Sequence, residues 1–103
     1  MRVGPVTDQQ FVAPSQAVAD EGVLNLATYV GGLLVVRSTN DVGLFLLDTG
    51  TVTSLHDPNS AFSVSAGTSS KVNVYWSSGN SRFELQNKSG GARDVSIVYL
   101  GAA

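Results

Sequence analysis

The only histidine, His56, is followed directly by Asp57 in a chain that carries thirteen serines. A serine hydrolase needs a hydroxyl within hydrogen-bond reach of the imidazole and a carboxylate on the other ring nitrogen. Adjacent residues on a strand point to opposite faces, and with so many serines mere proximity carries no information. His56-Asp57-Pro58-Asn59 reads more simply as a turn, with Asp57 bonding to nearby backbone and Pro58 fixing φ. A carboxylate pair for glycoside hydrolysis fares no better. Glu84 falls mid-strand on the expected solvent face, and Asp8, Asp20, Asp41, Asp48, Asp57 and Asp94 fall mostly in turns or at strand ends. A catalytic acid needs burial to raise its pKa, which nothing in this pattern supplies.

One histidine and no cysteine cannot build a zinc site of the usual ligand count. Calcium could draw on Asp41, Asp48 or Asp57, but no D-x-[DN]-x-[DN]-G loop is present. Gly31-Gly32 and Gly90-Gly91 fit neither a dinucleotide fingerprint nor a P-loop and read as turn glycines. Asn87-Lys88-Ser89 matches the glycosylation sequon inside a hairpin turn, where chance explains it. The expectation is therefore a protein without enzymatic activity, with no catalytic, cofactor-binding or metal-binding residues and no cofactor. Among the aromatic residues, Trp76, Phe83 and Tyr99 share the parity of the core series, which leaves Tyr75 and Tyr29 as candidates for stacking on sugars.

The elements that must position these groups follow from composition and punctuation. A chain of 103 residues supports one domain with one modest core. Only 14% of residues are charged while 43% are apolar, the reverse of a disordered composition. The net charge of −2 and the scattered basic residues suit no phosphate backbone, so no nucleic-acid partner is expected. No apolar run approaches the length that spans a bilayer, and the first ten residues lack the apolar region of a secretory signal, so no membrane partner is expected.

Residues 1–21, with Pro5 and Pro14 and no sustained period, read as an extended arm with at most one short strand around Phe11 and Val12. From Gly22 onward, candidate strands fall at 23–28, 33–37, 42–47, 51–55, 61–65, 71–77, 82–87 and 94–100. Each is bounded by Gly, Asn, Asp, Ser or Pro clusters. Runs at about ten-residue spacing predict an all-β fold, an antiparallel β-sandwich or jelly-roll-like barrel of about eight short strands over residues 22–103.

Two runs, Leu33-Leu34-Val35-Val36 and Leu44-Phe45-Leu46-Leu47, are apolar on both faces. A strand in a two-layer sandwich has one core-facing side, so the second face requires a cover: the arm, a crossing loop or another copy of the chain. Val98 and Leu100 pose the same question. Because interface centres are depleted of charge, a homo-oligomer is expected, with Tyr29, Val98 and Leu100 at its interface.

The phrasing of Tyr29 to Val36, Gly43 to Leu46, Phe62-Ser63-Val64, Ala66-Gly67-Thr68, Lys71 to Trp76 and Arg82 to Gly90 resembles small β-sandwich domains of tailed-bacteriophage virion proteins. Such domains occur as capsid decoration (cement) proteins and as tail-fibre modules. The resemblance spans about residues 22 to 101 and implies a structural role on the outer capsid surface after synthesis in the host cytoplasm. It implies a homotrimer and, as partner, the major capsid protein. The arm residues Val3, Val6, Phe11 and Val12 would lie across capsid subunits by adding a strand to an exposed edge. A tail-fibre or receptor/glycan-binding module is the alternative it implies.

Overall fold

The computed structural model describes residues 8–26 and 31–102. Among the described residues, nine strands form two sheets: β1 (Asp8–Val18), β2 (Val23–Asn25), β3 (Gly31–Ser38), β4 (Asp41–Asp48), β5 (Thr51–His56), β6 (Phe62–Ser63), β7 (Val72–Ser77), β8 (Arg82–Asn87) and β9 (Arg93–Ala102). The larger sheet runs β1-β9-β3-β4-β5, antiparallel throughout, and the smaller runs β2-β8-β7-β6. The all-β sandwich expected from the strand spacing is thus the fold of the chain.

The core lies between the sheets. Leu34 and Val36 of β3, Phe45 and Leu47 of β4, and Val95, Ile97 and Tyr99 of β9 meet Val72, Val74, Phe83 and Leu85 of the smaller sheet, and all are buried. Phe45 and Phe62 pack edge to face with ring centroids 5.5 Å apart, the arrangement the ring quadrupoles favour. The β4–β5 connection is a two-residue hairpin in which Thr49 and Gly50 both adopt positive φ, matching the twist of the flanking strands.

Residues 8–18, expected to hold at most a short strand, form an eleven-residue edge strand instead. Its register on β9 shifts between Ala13 and Gln16. Pro14 falls at that irregularity, where a residue without an N–H costs no ladder bond. Asn87 anchors the end of this strand. Its buried side-chain amide donates to the carbonyls of Val18 (2.9 Å), Ala19 (3.2 Å) and Gly91 (2.8 Å). Its Oδ1 accepts from the Ser89 amide and hydroxyl. The sequon asparagine is therefore wholly engaged in structure.

Gly31 and Gly32 do not form a turn. They open β3, and Gly32 (φ +141°) pairs with Gly101 of β9. A Cβ on Gly32 would meet the Leu100 carbonyl oxygen at 2.4 Å, and one on Gly101 would meet the Gly31 oxygen at 2.2 Å. The backbones approach because neither residue carries a side chain. Tyr99, buried beneath, hydrogen-bonds through its hydroxyl to both the Gly31 amide and the Gly31 carbonyl.

Candidate functional surface

Side chains alternate along each strand, so the five-stranded sheet that buries Leu34, Val36, Phe45, Leu47, Ile97 and Tyr99 turns the intervening residues outward. On β3 these are Leu33, Val35 and Arg37; on β4, Val42, Leu44, Leu46 and Asp48; on β9, Asp94, Ser96, Val98 and Leu100. The register brings them into rows. Leu33 lies between Leu46 and Leu100, and Val35 lies between Leu44 and Val98. Leu100 is 57% exposed, Val42 46%, and Leu46 and Val98 39% each. These fractions belong to unpaired surface, not to core. Among the described residues no element lies over the band, so within them the two-sided apolar runs keep one face uncovered.

Charge appears only at the ends of the band. Arg37 and Asp94 sit at one end and Asp48 at the other, and none of the three enters an ion pair among the described residues. Arg37 Nε donates to the Thr39 carbonyl at 3.1 Å. Together with Ser15, Thr39, Asn40 and Asp94, Arg37 lines an open polar cleft of about 260 Å³. His56 lies exposed on β5, opposite Leu44 across the ladder.

Val98 and Leu100 therefore stand in this band. Phe11 and Val12 lie on β1, in register with Tyr99 and Val98, but their side chains fall outside what is described. Val3, Val6 and Tyr29 lie outside the described residues.

The outer face of the smaller sheet carries Glu84, as its alternation with Phe83 and Leu85 predicts, but solvent does not reach it: the residue is only 4% exposed. One carboxylate oxygen accepts the Tyr75 hydroxyl at 2.8 Å. The other accepts Asn80 Nδ2 at 2.8 Å and Arg82 Nε at 2.7 Å. All of these groups come from the β7–β8 hairpin, whose register sets Tyr75 opposite Glu84. Burial alone would push the Glu84 carboxyl up. The bonds from Asn80, Arg82 and Tyr75, with the Arg82 charge, outweigh it and hold the carboxyl below the usual glutamate range. Burial and the bond to Glu84 push the Tyr75 phenol up to about 12. A carboxylate with three donors and a low pKa is an ionised structural acceptor, not a proton donor. The available signal was the i, i+2 pair Arg82–Glu84 facing Tyr75 across one hairpin.

The aromatic parity also needs correction. Tyr75, left over as a sugar-stacking candidate, is 7% exposed, whereas Trp76, assigned to the core, is 37% exposed. Trp76 sits near the end of β7 at the rim of the sandwich. There it packs edge to face on Phe83 (centroids 4.9 Å) and against the Gly50 turn, with no further layer to bury it.

The His56-Asp57 pair assembles no hydrolytic geometry. The Asp57 carboxylate accepts the Ala61 and Phe62 amides at 3.0 and 3.2 Å, closing the turn before β6. Asp41 accepts from Asn59 and pairs with Arg93. Among the described residues, no three His, Asp or Glu side chains gather as metal ligands would.

Comparisons with protein-family models, with curated proteins and with solved structures find no match to this chain.

Proposed function

We propose that the chain is a non-enzymatic structural protein of a bacteriophage virion, a capsid decoration protein that binds the outer shell surface and associates with copies of itself. The observation that carries this reading is the band of exposed Val and Leu across β9, β3 and β4. Contiguous apolar patches on small proteins mark interaction sites, and a chain with 14% charged residues has little with which to screen one. Interface centres share this depletion of charge. A protein that binds only the expanded shell stabilises that state by mass action, and several copies held together multiply attachment through effective concentration. The phage assignment itself rests on the strand and turn phrasing described above.

The test is co-sedimentation with shells of the virus whose genome encodes the chain. Binding to expanded shells but not to unexpanded precursors, with a raised shell melting temperature, is the expected result. Failure to bind either form overturns the reading. Trp76 at the sandwich rim favours the second reading, a glycan-binding tail module. Glycan-array binding that is lost in Trp76→Ala, without shell binding, would replace the first reading with the second.

A further inference from the structure

The exposed band has a shape and a charge layout that constrain its occupant. The outer face of the sheet, five strands about 4.8 Å apart and each about eight residues long at about 3.3 Å per residue, is roughly 24 by 26 Å, and the band on β9, β3 and β4 takes about 14 Å of that width. The face has a projected area of about 600 Å², of which the band supplies about 370 Å², against the ~800 Å² per partner of a standard interface. Side-chain relief adds to it. A second sheet of equal size can therefore cover it, whereas the band is far wider than any single added strand. A sheet stacked on it would lie about 10 Å away, with both inner faces apolar.

The charges select the orientation. Asp48 lies one residue beyond Leu47, which pairs with Gly32, so it is level with Gly31. Arg37 is six residues further along β3, about 20 Å from that level, and the apolar rows separate the two. If two copies stack with strands running in the same direction, Arg37 meets Arg37 and Asp48 meets Asp48. If a two-fold axis lies between the faces and across the strands, each Arg37 meets the Asp48 end of the other copy, offset by one strand spacing. Asp94 flanks Arg37 from β9, the side away from β4, so it does not occupy the approach of the second copy's Asp48. His56, on β5, borders the band without facing either charge.

We propose that the outer face of the five-stranded sheet docks on the same face of a second copy, antiparallel, through an isologous two-fold interface with Arg37 of each copy on Asp48 of the other. This deepens the self-association in the functional reading and rests on it. It also replaces the trimer that the resemblance implies with a dimer, since a two-fold contact is self-closing.

The test is sedimentation velocity of the full chain over a wide concentration range, with light scattering for mass. The expected result is a concentration-dependent species of twice the 10.7 kDa chain mass. Leu46→Asp is expected to yield a monomer with unchanged circular dichroism. Arg37→Glu is expected to weaken the dimer about tenfold, since two weak pairs turn repulsive at once. Arg37→Glu with Asp48→Arg is expected to recover most of the loss.

A wild type that stays monomeric overturns the inference, as does one that dimerises only after residues 1–7 are removed. A trimer, or an Arg37→Glu dimer not rescued by the second change, overturns the two-fold geometry. Shell binding separates the two levels. A dimer that ignores shells refutes the decoration role alone, and a monomer that binds shells refutes the two-fold interface alone.

Discussion

Replacing Glu84 by Gln keeps the shape of the side chain and removes its charge. The glutamine offers one acceptor oxygen to Tyr75, Asn80 and Arg82, and its own amide is directed at donors. Arg82 is 32% exposed at its side chain and can turn to water, but Tyr75 is 7% exposed and cannot. Hydrogen bonds to a charged group contribute about 1.5–3 kcal/mol, so the expected loss at neutral pH is about 2–3 kcal/mol. With a urea m-value of about 1–2 kcal/mol/M, the midpoint falls by about 1–3 M. Fluorescence of Trp76, the only tryptophan, follows the transition.

The pH dependence makes the experiment specific. The folded Glu84 carboxyl lies below its unfolded value. Its contribution is therefore complete above the unfolded value and disappears as pH falls through the folded one. Wild type and Glu84→Gln are expected to differ at neutral pH and to converge in acid, once the pH has fallen through the folded carboxyl's own value. A gap of equal size at neutral pH and in acid would show that packing, not the ionised carboxylate, is what the substitution removes. No gap at neutral pH would refute the network altogether.

Tyr75 ionises with the opposite sign, because its folded pKa is raised to about 12. Its stabilisation is intact below the unfolded value near 10 and is lost as pH climbs towards 12, so Tyr75→Phe is expected to flatten alkaline unfolding, read by tyrosinate absorbance. Asn87→Ala removes three amide bonds and two accepted ones at a buried site, and a loss of about 3 kcal/mol in urea titrations is expected. Ser38 is buried and its hydroxyl has no partner among the described residues, so Ser38→Ala is expected to stabilise by about 1 kcal/mol, raising Tm by about 4–8 °C. A lower Tm would mean that the hydroxyl is satisfied by solvent. Gly101→Ala, by contrast, drives a methyl into the Gly31 carbonyl and is expected to lower Tm by more than any of these.

Much of the architecture was readable from punctuation. Thr49-Gly50, Thr39-Asn40 and Ser78-Gly79-Asn80-Ser81 close hairpins where turn residues interrupt β-branched and aromatic runs. The double-sided runs at 33–36 and 44–47 also carried real information, since strands apolar on both faces left one face open. Failures came where tertiary context decides. The prolines masked β1, which persists as an edge strand with a register shift around Pro14. Gly31-Gly32 imitates a turn, because a sequence cannot show that Gly101 lies across the ladder. Alternation put Trp76 inside and Tyr75 and Glu84 outside. Parity names a face but not what covers it, and here the hairpin's own Asn80 and Arg82 close over Glu84 while the sandwich ends at Trp76.

The order of the larger sheet has a consequence for how the molecule reaches its native state. β9, furthest along the described chain, is inserted between β1 and β3, so the opening strand has no hydrogen-bonding neighbour until residues some eighty positions later arrive. Contacts so distant along the chain place folding in the slow, millisecond-to-second regime. Until β9 closes the gap, β3 presents unpaired ladder groups beside its leucines. Premature encounters between half-formed copies are then the main hazard, and dilute, cool refolding is the condition that favours the closed sheet.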